Sequence, residues 1–168
     1  PDDAEVARHI LLERAKIDYF NGLFDSSLAK LEVVMAEPGS DYANDAIALH
    51  TLISENRGNN AALKLFAKAE LMGLGKDLNA ALSAYRSIPE TYPTATIADE
   101  SVLRAVEMEI QLKKPCDALS LLAMMQDKMP TSPLLDKAAF RQEENKETLM
   151  KGKAKGKRRR EDVRGRKP

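Results

Sequence analysis

Tyr92-Pro93-Thr94-Ala95-Thr96-Ile97-Ala98-Asp99 returns in outline 37 positions later as Met129-Pro130-Thr131-Ser132-Pro133-Leu134-Leu135-Asp136, with Pro, Thr and Asp in register. The same shift carries Ala81 onto Ala118, Leu82 onto Leu119, Tyr85 onto Leu122 and Ile88 onto Met125. These positions follow one another at three- and four-residue intervals, the spacing of a single helix face. A helical unit repeating at about this length predicts an α-solenoid, because one pair of helices cannot bury its apolar face without a stacked neighbour.

Working outward from that stretch, apolar residues keep a 3.6-residue period through nearly every segment, and none alternates as a strand would. A first helix, Asp3 to Phe20, carries Val6, Ile10, Leu11, Ala15, Ile17, Tyr19 and Phe20 and is stopped by Asn21-Gly22. A second opens near Asp25 with Leu28, Leu31, Val34 and Met35 inward, and Pro38-Gly39 ends it. Ser40 or Asp41 caps a third, which runs to Arg57 with Ala43, Ile47, Ala48, Leu52 and Ile53 inward. A fourth from Asn60 to about Gly73 buries Leu63, Leu65, Phe66 and Ala69. A fifth spans Leu78 to just before Pro93, with Pro89 set to kink or shorten it. A sixth runs from Thr96 to Lys113 with Ile97, Val102, Ala105, Val106 and Ile110 inward. Pro115 opens a seventh carrying Leu119, Leu122, Met125 and Met129, and Ser132-Pro133 leads into an eighth that fades at Gln142 to Lys146. The expectation is an all-α chain of about eight helices, a right-handed solenoid of antiparallel hairpins. The third helix stands alone between pairs, because the fourth pairs better with the fifth.

Ala81, Tyr85, Ile88 and Pro93, and again Ala118, Leu122, Met125 and Pro130, resemble the second-helix pattern of tetratricopeptide repeats. Gly22, Phe24, Ser27, Leu31 and Val34, with Pro38 one position early, form a looser copy. The resemblance spans roughly residues 5–140 and is closest to bacterial members, several of them cell-envelope assembly factors. Val106 and Glu109 depart from the pattern, and Lys113 stands where an inter-helix Gly is usual. The resemblance implies a protein or peptide bound on a concave face made by the first helix of each pair. By motif position that face holds His9, Leu12, Lys16, Tyr19 and Phe20 in the first helix and Glu100, Leu103, Glu107 and Gln111 in the sixth. It also implies a scaffold or adaptor; no cofactor and no catalysis are expected, because no nucleophile–base or ligand constellation is present, and the compartment, cytoplasm or bacterial cell envelope, is left open.

The net charge of zero over 168 residues hides two unlike segments. Residues 151–168 hold ten Lys and Arg against Glu161 and Asp162, a charge of +8; the remaining residues hold 16 basic and 24 acidic groups, a charge of −8. With Val163 as its one large apolar residue, the tail offers little to bury, so it is expected to be a disordered basic tail after a helical domain at 1–150. Lys157, Arg158, Arg159 and Arg160 would contact phosphate backbone if the tail meets nucleic acid, which gives the alternative reading of a nucleic-acid or ribosome-associated adaptor. The longest uncharged apolar stretch, Ala118 to Met125, is far short of the roughly 20 residues that span a bilayer. Cys116, the single cysteine, excludes an internal disulfide. The opening Pro1-Asp2-Asp3, with no Met and no apolar leader, reads as a fragment of a longer protein.

Catalytic patterns are weak. His9 and His50 lie in different helices with no second ligand at metal spacing. The pairs Glu107 with Glu109 and Glu143 with Glu144 are not spaced to share a helix face, and read as solvated charge. Gly73-Leu74-Gly75-Lys76 lacks the hydroxyl residue and the preceding strand of a phosphate loop, so it reads as a turn between helices. Met124, Met125 and Met129 with Leu121 and Leu122 fit the buried side of a hairpin.

Overall fold

The computed structural model describes residues 3–36 and 42–164. Among them run eight α-helices and no strand: α1 (Asp3–Phe20), α2 (Phe24–Met35), α3 (Ala43–Glu55), α4 (Asn60–Leu74), α5 (Leu78–Thr91), α6 (Ile97–Gln111), α7 (Pro115–Lys128) and α8 (Leu135–Arg164). A short 3-10 turn at Arg57–Asn59 leads into α4. Local chemistry sets many of these ends. Asn59 Oδ1 accepts the Ala62 N–H and Asp77 Oδ1 the Ala80 N–H, each at 3.1 Å, giving α4 and α5 side-chain caps. Pro115 opens α7, where its missing N–H costs nothing. Pro89 lies inside α5 without ending it; only the bond to the Tyr85 carbonyl is forgone, and the Tyr92 N–H still closes the helix on Ile88 at 2.7 Å. The expected stop at Pro38-Gly39 and caps at Ser40 or Asp41 lie outside the described residues.

Three connections are the same turn. After α1, the Gly22 N–H bonds the Tyr19 carbonyl at 2.9 Å and the Leu23 N–H bonds Asp18 at 2.8 Å. After α4, Lys76 bonds Gly73 and Asp77 bonds Met72, both at 3.0 Å; after α6, Lys113 bonds Ile110 and Lys114 bonds Glu109, both at 2.9 Å. This is the Schellman end, which needs one left-handed residue. That residue is Gly22 (φ 74°), Lys76 (φ 62°) and Lys113 (φ 60°) in turn. Lys76 and Lys113 are 37 positions apart, the interval read from the sequence. Gly75, beside Lys76, keeps an ordinary φ of −73°.

The buried positions keep register with those turns. Five residues after the left-handed position stand Ser27, Ala81 and Ala118, all wholly buried. Nine after it stand Leu31, Tyr85 and Leu122, and twelve after it Val34, Ile88 and Met125. Seven before it stand Ala15, Ala69 and Val106, and ten before it Leu12, Phe66 and Leu103, again all buried. In the α1–α2 pair the small residue brings the backbones close enough for Ser27 Oγ to donate to the Ala15 carbonyl at 2.8 Å.

The chain forms two compact units, Pro1–Ser101 and Val102–Pro168. The division falls inside α6, where neither composition nor a helix break marks it. In the first unit α1 packs on α2, α4 on α5, and α1 touches α4. The third helix is not solitary: α3 packs on α2. One core joins Leu12, Ala15, Tyr19, Phe24, Leu28, Leu31 and Val34 to Ala46, Ile53, Leu63 and Ala67, and Phe66 meets Tyr85 edge to face at 5.3 Å. In the second unit α7 packs on α8, with Leu121, Leu122, Met125 and Ala138 buried.

Two expectations change. The α1 stripe is only partly the one expected: Ala15 and Tyr19 are buried as expected, with Leu12 beside them, whereas Val6, Ile10 and Ile17 are 43%, 53% and 58% exposed on the opposite side of the helix. Ile47 is likewise exposed, with Ala46 taking the inward place. The second concerns the tail. Instead of fading at Gln142 to Lys146, the backbone of α8 stays helical through Arg164. Lys, Arg, Glu and Ala all favour helix, so a continuous helix needs no apolar burial to start from one already anchored. Residues 165–168 lie outside the described residues.

Candidate protein-docking surface

The expected concave-face residues separate into two groups. Leu12 and Tyr19 are buried at 1% and 2% exposure, and Leu103 at 3%, so these three belong to the core and offer nothing to a partner. Tyr19 is nevertheless polar at its tip: its hydroxyl donates to Glu70 Oε2 at 2.6 Å, tying α1 to α4. His9, Lys16 and Phe20 do reach the surface, Phe20 half-buried.

Helix α3 completes the patch on the first unit. The His9 ring lies flat on Tyr42, with centroids 4.8 Å apart and planes 3° from parallel. Lys16 Nζ stands 2.9 Å from Glu13 Oε1 and 3.9 Å from Asp45 Oδ2. His9 Nε2 is 3.9 Å from Glu13, an ion pair when the imidazole is protonated. Between α3 and α2, His50 Nε2 is 3.9 Å from Glu32 Oε1.

In the second unit Glu107 is half-buried between two arginines, Arg104 at 3.3 Å and Arg141 of α8 at 3.6 Å, and Arg141 also reaches Glu144 at 3.4 Å. Glu107 therefore anchors α8 and is not a free surface carboxylate. Glu109, read as solvated, is 2% exposed. Gln111 is exposed and Glu100 half-buried. Structure brings His9 and Lys16 together with Tyr42 and Asp45; the α6 residues sit apart from them in sequence and by role. The side chains of Lys157, Arg158, Arg159 and Arg160 lie outside the described residues, while their backbone belongs to α8.

A latch holds the α1–α2 pair. Asp18 Oδ2 accepts Lys30 Nζ at 2.5 Å and Ser26 Oγ at 2.6 Å. The Lys30 and Ser26 hydrogen bonds hold the Asp18 carboxyl below the usual carboxylate range, overcoming the opposing effect of partial burial.

Tyr42, Asp45, Glu70 and Lys30 were not legible as site residues, since their partners are 12 to 51 positions away. The outward stripe of α1 was legible in principle: the helix carries apolar residues at two sets of helical spacing, and only one set can face the core. Cys116 is exposed. Among the described residues no three His, Cys, Asp or Glu side chains gather as a metal site, and no helix is long and apolar enough to cross a membrane. No protein-family model matches the sequence, and no curated protein matches it significantly.

Proposed function

We propose that the chain is a non-enzymatic protein-interaction scaffold whose helix pairs stack as a right-handed, tetratricopeptide-like solenoid. The observation that carries this reading is the shared register of three helix–turn–helix segments about Gly22, Lys76 and Lys113, with the same turn and the same buried positions in each. Repetition of one structural unit extends a surface, which suits recognition of another chain. The patch of His9, Lys16 and Phe20 with Tyr42 and Asp45 is the docking surface, and its ligand is a protein or peptide segment carrying both charge and an apolar side chain.

A photo-cross-linking residue placed at position 9 identifies the segment bound, and calorimetry with the purified partner tests the assignment. His9→Ala with Lys16→Glu is expected to weaken binding about tenfold or more, the effect of losing a contact worth over 1 kcal/mol. Asp127→Lys, at an exposed position in α7, is expected to change nothing. Equal affinity in all three proteins would remove the patch from the account.

A further inference from the structure

We propose that the C-terminal turns of α8 bind double-stranded nucleic acid along its phosphate backbone without reading sequence. The inference stands apart from the docking surface and draws on different residues. The helix is 30 residues long, about 45 Å, whereas α7 beneath it has 14 residues and about 21 Å. Its first half is the anchored half: Ala138 and Asn145 are buried, and Arg141 is fixed to Glu107. Beyond Met150 the helix continues through Arg164 with eight basic residues and two acidic ones, a charge of +6. Lys151, the first of the eight, is paired with Glu147 at 2.6 Å.

The distribution of those charges selects the ligand class. At 100° per residue, positions 151, 153, 155, 157, 158, 159, 160 and 164 fall in two arcs on roughly opposite sides of the helix axis, and the gaps between them hold Gly152, Gly156 and Val163 on one side and Ala154 and Glu161 on the other. A helix lying on a lipid surface needs a broad apolar face, and Val163 is the single large apolar residue here. An acidic protein surface would meet one side of such a rod and leave the other cations unanswered. The two phosphate walls of a duplex groove meet both sides, and the B-form major groove, about 12 Å wide, admits a helix. The deep, narrow major groove of A-form RNA does not, which favours DNA. Line densities also correspond: eight cations over about 21 Å of helix face a duplex carrying one phosphate per roughly 1.7 Å. No aromatic residue lies in 151–168, so single-strand stacking has no platform. Gly152 and Gly156 weaken the bare helix, so phosphate neutralisation should raise its helicity.

The test is fluorescence anisotropy of the full chain with a 20-base-pair DNA duplex of mixed sequence, at 50 and 200 mM salt. If about six phosphates are neutralised, affinity should fall by about a thousandfold between the two conditions. Arg158→Glu, Arg159→Glu and Arg160→Glu together should weaken binding at least about a hundredfold at the lower salt. Ala154→Pro, which breaks the rod and keeps every charge, should weaken it several-fold and reduce the salt slope. Both variants should melt with the parent, because the changes lie beyond the anchored half. Absence of duplex binding at 50 mM salt overturns the proposal, as does equal binding by the triple-Glu protein. Equal affinity for a single strand, for duplex RNA or for phosphatidylserine vesicles overturns the choice of ligand, and unchanged binding by Ala154→Pro overturns the rod.

Discussion

Ala81 and Ala118 have no exposed surface and occupy the same place relative to their turns, so a larger side chain at either must displace whatever packs against it. Overpacking of this kind costs about 1–3 kcal/mol. Ala81→Leu and Ala118→Leu should each lower the melting temperature by several degrees, while Lys68→Leu, at an exposed site on α4, should leave it almost unchanged. Calorimetric melts of the three proteins check this, and parental melting of both Ala variants would remove the shared register. The left-handed positions give a second comparison. A left-handed conformation costs an ordinary residue about 1–2 kcal/mol, and Lys76 and Lys113 both carry it. Replacing either by Gly relieves that strain, less the extra chain entropy of Gly, and should stabilise by about 0.5–1 kcal/mol. Gly22→Ala should destabilise by about 1–2 kcal/mol; its new Cβ would also stand 3.1 Å from the Lys64 side chain. Urea melts rank the three, and no gain in either Lys variant would discount the strain.

At the scale of an element, the α1–α2 latch is sensitive to acid. The Asp18 carboxyl titrates lower in the folded chain than in the unfolded one, so its stabilisation is present above pH about 4, where an unfolded Asp ionises. It is lost as pH falls through the lower, folded value. Asp18→Asn should therefore melt below the parent at pH 7, and the gap should close towards pH 2; a gap that persists in acid would mean the latch is not ionic. Helix α8 gives the complementary case. Deleting residues 151–168 should change stability by less than about 0.5 kcal/mol, yet remove the circular-dichroism signal of about 14 helical residues. Helix existence was legible as far as Lys146, because caps and punctuation such as Asp77, Pro115 and Gly22 act locally. Helix facing was less so. In α1 the sequence offers Val6, Ile10 and Ile17 on one side and Leu12, Ala15 and Tyr19 on another, and only the position of α2, α3 and α4 decides between them.

For the whole molecule, the 37-residue interval was legible because a turn and its buried neighbours recur together, whereas the α1–α3 patch depended on Tyr42 and Asp45 meeting a helix more than 25 positions earlier. The division inside α6 left no trace in composition. Charge is a property of the whole chain: the isoelectric point near 7.3 comes from a −8 segment and a +8 segment cancelling. Solubility should be lowest near neutral pH, and removal of 151–168 should move that minimum into the acid range; turbidity against pH measures it, and a minimum that stays at neutral pH would contradict the prediction. The Tyr19–Glu70 hydrogen bond, 51 positions across, carries a kinetic consequence. Turns and helix pairs form from neighbours in sequence and can be complete early, whereas this bond must wait until α2, α3 and α4 have been laid down. Tyr19→Phe should therefore leave the refolding rate nearly unaltered and speed unfolding, a low φ-value, with the chevron's unfolding limb alone displaced.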